Sequence, residues 1–138
     1  MGIHRKTAAR LSHSAGDKGT ALSLGAKAEI FELDQHHRRE AIIKLEDLGF
    51  CAKGEGGAFV ASGVTQPGGS FPVNTHGGLL SHCHPGNPGS MFALTEAVLQ
   101  LRGQAGERQL GKANLALVHA QGGIMSSHCT LILGRESC

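Results

Sequence analysis

The sequence predicts a single α/β domain with a mixed sheet and flanking helices. Its 138 residues suit one domain and are too few for two ordinary ones. Hydrophobic residues make up 40% of the chain and charged residues 17%, a balance typical of a globular protein with a real core. The predicted elements follow the order strand, helix, strand, helix, strand, strand, which is typical of α/β folds.

The first half of the chain predicts a strand followed by a helix. Residues 28–33 alternate between apolar and polar side chains, as a strand does. Residues 38–48 carry one apolar stripe and predict a helix; the stripe consists of Ala41, Ile42, Leu45 and Leu48. We expect Gly49 to end this helix in a left-handed conformation, with Phe50 as its hydrophobic contact.

A glycine-rich segment follows and predicts a loop over residues 53–70. Within it, residues 58–60 predict a short strand, and residues 71–74 predict the start of another. By contrast, residues 1–27 show no persistent helical or strand period. We therefore predict a flexible leader over residues 1–27 and a folded domain over residues 28–138.

The second half predicts one long helix and a strand pair. The helix covers residues 90–102, with Ser90 as its N-cap and Gly103 at its end. Its predicted apolar positions are Met91, Phe92, Leu94, Ala97, Val98 and Leu101. Residues 115–118 form a continuous apolar run, as expected for a strand buried on both faces, and residues 129–133 predict a final strand beside it.

Charge and composition exclude several classes of function. The net charge is +2 and the aromatic residues are 5 Phe with no Tyr or Trp, so nothing indicates a surface for nucleic acid. No apolar run has the length of a membrane span, and we expect a cytoplasmic protein without membrane contact. The 4 cysteines form no Cys-x-x-Cys pair, so neither a disulfide framework nor a zinc ribbon is predicted.

Three segments combine histidine with glycine, and they hold the candidate chemistry. They are Asn74-Thr75-His76-Gly77-Gly78, Ser81-His82-Cys83-His84-Pro85-Gly86-Asn87-Pro88-Gly89 and His119-Ala120-Gln121-Gly122-Gly123. We call them loops 74–78, 81–89 and 119–123. The second runs directly into a helix, whose first N–H groups favour an anion or a developing oxyanion. Imidazole is an acid or base near neutral pH.

Simpler interpretations compete with a catalytic one. A single histidine in a loop more often has a structural role than a catalytic one. His36 and His37 lie among charged residues before a helix, where we expect them to be solvated. His82, Cys83 and His84 have ligand chemistry, but no second pair with ligand spacing completes a metal site, so we assign no metal. Cys83 would be a nucleophile beside His84, yet adjacent side chains usually point apart, which favours a structural cysteine.

Together these segments resemble the C-terminal half of a thiolase. The resemblance rests on Val73 to Gly78, on His82-Cys83-His84-Pro85-Gly86 and on the Gly122-Gly123 turn between two strands. Residues 45–51 and 54–57 are similar to the lipid-transfer-protein or sterol-carrier-protein branch of that family, and the likeness runs from about residue 28 to residue 136. It implies the second half of a layered αβαβα thiolase fold.

The resemblance implies an acyltransferase that forms or thiolytically cleaves carbon–carbon bonds on acyl-CoA thioesters in lipid or sterol metabolism. Coenzyme A thioester would be the substrate, with no tightly bound cofactor. An aldolase-type relative, or a non-catalytic remnant that binds acyl-CoA or a partner, is the alternative. A small zinc-ribbon and OB-fold protein is a partner of some members.

Residue roles carry over from the family motifs. His84 matches the histidine of the Gly-His-Pro motif, which activates the nucleophile and polarises the thioester, while Cys83 stands where the family usually has glycine. The resemblance implies a catalytic acid/base or oxyanion-donor role for His119, which stands where classical thiolases have an acid/base cysteine. The resemblance also implies a substrate-binding or oxyanion role for His76, Gly77, Gly78, Gly122 and Gly123.

Other family features are not matched. Residues 31–34 stand at the place of an early-strand motif that is not kept, and none of the cysteines has the context of the family nucleophile. We expect the missing N-terminal half to supply that nucleophile, because the chain reads as a partial coding region. Alone, we expect it to be inactive and to form homo-oligomers, since a half-domain exposes apolar helix faces.

Overall fold

A computed structural model describes residues 7–11, 28–33, 38–122 and 126–135 of the chain. Four strands form one sheet: β1 (Thr7–Leu11), β2 (Ile30–Leu33), β3 (Leu115–Gly122) and β4 (Ser127–Arg135). Their order across the sheet is β1, β4, β3, β2. β2 runs parallel to β3, whereas the other two pairings are antiparallel. The predicted α/β class with a mixed sheet is confirmed.

Within the described residues, three α-helices accompany the sheet: α1 (Arg38–Asp47), α2 (Gly56–Ala61) and α3 (Ser90–Arg102). Single 3-10 turns cover Leu79–Ser81, Asn87–Gly89 and Gly106–Arg108. Within the part of the chain that the structure describes, no helix is long and apolar enough to cross a membrane.

Alternation along the strands divides the core into two layers. Ile30 on β2 and Val118 on β3 face α3 and pack with Ala97 and Leu101. The intervening residues Phe31 and Leu117 point to the other face, where they pack with Leu45 of α1. Helices therefore cover both faces of the sheet, as predicted.

The ends of α1 and α3 confirm the predicted glycine stops. After α1, Gly49 has φ 81°. The N–H of Phe50 donates to the carbonyl of Leu45 at 2.9 Å, and the N–H of Gly49 donates to that of Glu46 at 3.1 Å. This pair of bonds is a Schellman motif, which satisfies carbonyls that the helix leaves open. Gly103 ends α3 in the same left-handed conformation.

Some predictions from the sequence were wrong. Residues 58–60 form part of α2 rather than a strand, because the N–H of Phe59 donates to the carbonyl of Glu55 in a helical turn. Residues 71–74 make a single parallel bridge, Phe31 to Val73, instead of a strand. Ser90 is the first residue of α3 and Gly89 its N-cap, since a 3-10 turn leads into the helix.

The leader segment also differs from its prediction. We expected no element before residue 28, yet β1 lies there and pairs antiparallel with β4. A five-residue strand on one edge of a sheet takes its stability from its partner strand, so the local pattern gives little signal. The other residues of the predicted leader lie outside the described part of the chain.

Gly56, at the start of α2, is expected to tolerate no side chain. A Cβ there would lie 2.7 Å from Cγ2 of Ile42 and 2.8 Å from Oε1 of Glu46. We expect Gly56→Ala to lower the free energy of unfolding by about 1–3 kcal/mol, the usual cost of overpacking. Urea denaturation measures this loss. Gly57→Ala is the matched control, since its Cβ meets nothing within 4 Å; an equal loss in both variants would contradict the packing argument.

Candidate functional site

Loop 74–78 is held against the carboxyl end of β2. The N–H of Asn74 donates to the carbonyl of Phe31 at 2.8 Å, directly after the bridge at Val73. Asn74 has φ 52°, and Gly77 and Gly78 have φ 91° and 71°. Such left-handed conformations let the chain turn sharply, and glycine adopts them without steric cost. This turn aims the loop side chains back at the sheet.

His76 pairs with a buried glutamate of the sheet. Its Nδ1 lies 2.9 Å from Oε2 of Glu32, and the two side chains are 4% and 0% exposed. The His76 ring also lies beside that of His82, with 5.0 Å between centroids, and His82 stacks on Phe92 of α3 at 5.2 Å. An imidazole series thus leads from the buried Glu32 to the exposed loop 81–89.

Thr75 joins Glu32 to a second buried carboxylate, Glu96 of α3. Its hydroxyl oxygen lies 2.9 Å from Oε1 of Glu32 and 2.9 Å from Oε1 of Glu96. The Thr75 backbone N–H donates to Oε1 of Glu32 at 3.1 Å. One hydroxyl therefore bridges two carboxyl groups that belong to different elements.

Gln100 and Arg108 complete this network on the α3 side. Arg108 donates two hydrogen bonds to Glu96, from Nε at 3.2 Å and from Nη2 at 3.0 Å. The fully buried Gln100 amide donates to the Thr75 hydroxyl and to the Arg108 carbonyl, and its oxygen accepts the N–H of Leu110. We call Glu32, Thr75, His76, Glu96, Gln100 and Arg108 the buried polar network; the Arg108 side chain is 49% exposed and reaches Glu96 from the surface.

The two carboxyl groups of this network have opposite pKa shifts. Burial raises the pKa of Glu32, and the contacts with His76 and Thr75 offset this only in part. Burial also acts to raise the pKa of Glu96, but hydrogen bonds from Arg108, Thr75 and Gln100 outweigh it and the net pKa is lowered. Environments that separate two neighbouring acids in this way are common at functional sites.

His84 lies exposed in loop 81–89, ahead of α3. The backbone N–H of Gly86 donates to its Nδ1 at 3.3 Å. Because Nδ1 accepts this bond, the proton of a neutral His84 sits on Nε2. In that tautomer Nε2 is an N–H donor, the type of group that stabilises a developing oxyanion.

The loop predicted at residues 119–123 is wrong for its described part, because residues 119–122 continue β3, and His119 lies on this inner strand of the sheet. It is 7% exposed, and its Nδ1 lies 2.8 Å from the hydroxyl of Thr130 directly across on β4. His128 stacks on it, with 5.4 Å between ring centroids. Two residues further along β3, the side-chain amide of Gln121 donates a hydrogen bond to the carboxylate of Glu40 on α1. His119 is thus a fixed imidazole on the α1 face of the sheet.

The predicted site residues fall into separate groups. His76, Gly77 and Gly78 belong to the loop above the α3 face, together with the buried polar network. His119 points to the opposite face, because it alternates with Val118, which packs against α3. Gly122 ends β3 opposite Ser127. Gly123 lies outside the described residues.

The glycines of these loops differ in what they tolerate. A Cβ on Gly77 would lie 2.3 Å from Oγ of Ser81, at φ +91°, whereas one on Gly122 would meet nothing closer than 3.8 Å. We expect Gly77→Ala to lower the free energy of unfolding by about 1–3 kcal/mol and Gly122→Ala to change it by less than about 0.5 kcal/mol. Thermal denaturation of the two variants checks this; equal effects would contradict it.

Sequence reasoning missed most of the buried polar network. Glu32, Glu96, Gln100 and Arg108 carry no motif, and the apolar stripe predicted for α3 was partly wrong: Met91 is exposed, while Ala93, Glu96 and Gln100 are buried. A signal existed, because Glu96 and Gln100 recur at the spacing of Ala93 and Ala97 on one helix face. Within the described residues, no group of three or more His, Cys, Asp or Glu side chains is placed to hold a metal ion.

Comparison with known proteins gives a consistent result. Residues 11–135 match the family model described as thiolase C-terminal domain-like. Over 94 residues, 68% of this chain, it is 40% identical to the acetyl-CoA acetyltransferase of Methanothermobacter thermautotrophicus. Over 102 residues it is 40% identical to the 17-hydroxy-3-oxo-4-pregnene-20-carboxyl-CoA lyase of Mycobacterium tuberculosis, and over 94 residues it is 37% identical to sterol carrier protein 2 of Rattus norvegicus.

A solved structure agrees in fold. The Ltp2-ChsH2(DUF35) aldolase superposes with a TM-score of 0.71 at 33% identity, covering 88% of this chain and 32% of that one. The 138 residues match only 17–25% of the length of the curated relatives named above.

Proposed function

Because this chain belongs to the thiolase C-terminal domain-like family, we propose that it supplies the histidine part of a site that makes or breaks a carbon–carbon bond on an acyl-CoA thioester. The observation that carries this proposal is the hydrogen bond from the Gly86 N–H to Nδ1 of His84. This bond directs the proton of a neutral His84 ring to Nε2, the nitrogen that would face a thioester oxygen. Negative charge on that oxygen develops both in acyl transfer and in enolate formation.

We assign the acid/base role to His119. Thr130 and His128 hold its ring from two sides, and burial limits its contact with water. A fixed imidazole moves a proton near neutral pH, which is the task of the acid/base group in thiolytic cleavage. From the family motifs we also propose substrate-binding roles for His76, Gly77, Gly78, Gly122 and Gly123. Because His76 and His119 lie on opposite faces of the sheet, they would contact different parts of the substrate.

A retro-aldol reaction is the second candidate. A histidine replaces the acid/base cysteine of classical thiolases at position 119, and two relatives carry the names lyase and steroid side-chain-cleaving aldolase. In a retro-aldol step a base takes the proton of a β-hydroxyl group, and the Cα–Cβ bond breaks. A carbonyl compound leaves, and the electron pair passes to the thioester enolate, which is then protonated. This step needs no cysteine nucleophile.

The remaining parts of the site belong to the proposal as well. For thiolysis, the nucleophile would come from sequence beyond these residues or from a second chain. We also propose an acyl-CoA substrate without a tightly bound cofactor, a cytoplasmic location, homo-oligomer formation, and an interaction with a small zinc-ribbon and OB-fold protein. A non-catalytic module that binds acyl-CoA remains the alternative from a different class.

A chimera tests the proposed function. This chain would replace the matching segment of the Methanothermobacter acetyltransferase, and the purified protein would receive either a 3-ketoacyl-CoA with CoA or a 3-hydroxyacyl-CoA alone. Thiolysis or retro-aldol cleavage above the rate of a His119→Ala chimera would support the proposal and identify the reaction. A folded chimera that binds acyl-CoA without cleaving either substrate would support the non-catalytic alternative instead.

A further inference from the structure

If both carboxyl groups of the buried polar network were ionised, the network would have one hydrogen too few for its short oxygen–oxygen contacts. The Thr75 hydroxyl has one hydrogen and lies 2.9 Å from a carboxyl oxygen of Glu32 and 2.9 Å from one of Glu96. Gln100 additionally donates its amide hydrogen to the same hydroxyl oxygen. If both carboxyls were ionised, one of the two short contacts would bring lone pair against lone pair.

One of the two carboxyl groups must therefore carry an additional proton. The hydrogen-bond partners of each group indicate which one. Glu96 accepts two hydrogen bonds from the guanidinium of Arg108, a contact that stabilises its ionised form. Glu32 lies on β2 with a fully buried side chain and faces Thr75 and His76. A proton on Oε1 of Glu32 would be donated to Thr75, and the Thr75 hydrogen would then be donated to Glu96.

The same assignment determines the state of His76. Nδ1 of His76 lies 2.9 Å from Oε2 of Glu32, but the contact lacks hydrogen-bond geometry, and neither buried atom has another hydrogen-bond partner. With Glu32 neutral, a hydrogen on Nδ1 that faces Oε2 gives both atoms the partner they otherwise lack, and Nε2 then holds a lone pair. The competing arrangement, with both carboxyl groups ionised, leaves the single Thr75 hydrogen to serve two carboxylate oxygens, so that one of the 2.9 Å contacts has no hydrogen.

We infer that Glu32 is a positioning residue that holds a proton at neutral pH and, with Thr75, fixes His76 as the neutral Nδ1–H tautomer with a basic Nε2. The proton assignment itself is independent of the proposed function. Its consequence, that His76 contributes an acceptor rather than an oxyanion donor to the acyl-CoA site, rests on that function. The groups that face this pair are Glu96 of α3, Arg108 of the following 3-10 turn and His82 of loop 81–89.

Spectroscopy on the 138-residue chain tests the assignment without turnover. At pH 7 we expect an infrared band of a protonated carboxylic acid that is lost in Glu32→Gln, and ¹⁵N ring shifts of His76 that show a protonated Nδ1 and an unprotonated Nε2. Glu32→Gln, whose amide reproduces the donor and the acceptor of the neutral acid, should retain this tautomer. An imidazolium at position 76 without a carboxylic acid band would overturn the inference.

Stability against pH gives a second, independent readout. A folded state that keeps the Glu32 proton loses stability as the pH rises above about 4, the ordinary pKa of glutamate, because the unfolded chain releases that proton. Wild type should therefore lose stability relative to Glu32→Gln over this range. Glu96→Gln is the matched control of opposite sign, since the ionised Glu96 stabilises the fold increasingly as the pH rises. Parallel slopes for the two variants would contradict the inference, whether or not the chimera is active.

Discussion

Replacing His84 with alanine is expected to reduce carbon–carbon bond cleavage by the chimera about 100- to 10,000-fold, the usual contribution of a positioned acid–base or donor group. The physical reason is the bond from Gly86 to Nδ1, which directs the proton of the neutral ring to Nε2 and makes that nitrogen the donor. Alanine removes this donor, whereas the exposed position of His84 means that little folding stability is lost. Steady-state kinetics should show the loss mainly in kcat, because the donor acts on charge that develops in the transition state.

His82→Ala is the matched control for this prediction. His82 is also an exposed histidine of loop 81–89, but its ring stacks on Phe92 instead of accepting a backbone N–H. We expect a loss of less than about tenfold, since one stacked ring contributes about 0.5–1.5 kcal/mol. Equal losses in both variants would mean that the loop as a whole, and not the His84 donor, is required.

The largest expected effect on stability comes from Phe31→Ala. Phe31 lies on β2, is 1% exposed and stacks on Phe71 with 3.6 Å between ring centroids. Phe50 meets its edge at 5.0 Å. Removing this ring leaves a cavity beneath the strand that carries Glu32, and the free energy of unfolding should fall by about 3–5 kcal/mol. Because domains have only about 5–15 kcal/mol in total, the variant should be partly unfolded at 37 °C.

Phe59→Ala serves as the control for ring removal. Phe59 is half-buried on α2 and contacts Phe71 at 5.6 Å. We expect a smaller loss, because solvent already reaches this side chain and no closed cavity forms. Chemical denaturation of both variants measures the difference. An equal loss of unfolding free energy in Phe59→Ala and Phe31→Ala would contradict the claim that Phe31 is the central residue of this layer of the core.

The sequence was most informative where one residue type has one conformational use. Gly49 and Gly103 were predicted as helix stops, and both have the expected left-handed conformation, since few other residues adopt it without cost. The apolar run at residues 115–118 likewise predicted a strand buried on both faces, and β3 contains it. Local chemistry decides these features, so a single sequence is sufficient to find them.

The buried polar network could not be predicted in the same way. Glu32 and Thr75 are 43 positions apart, and Arg108 reaches Glu96 from a turn beyond the end of α3. None of these residues belongs to a recognisable local motif. The Phe31–Val73 bridge and the packing of α3 against the sheet bring them together. The strand predicted at residues 58–60 failed for a related reason: the tight approach of Gly56 to α1 favours a helix, and that contact is not visible in the local pattern.

One assay tests most directly the central claim that this chain contributes histidines and not the nucleophile of a thiolase-like site. The 138-residue protein alone would receive a 3-ketoacyl-CoA and CoA, beside the chimera at equal concentration. We predict cleavage by the chimera and no cleavage by the chain alone above the uncatalysed rate. Thiolysis by the chain alone, lost in Cys83→Ala, would contradict the account and identify a nucleophile within these residues.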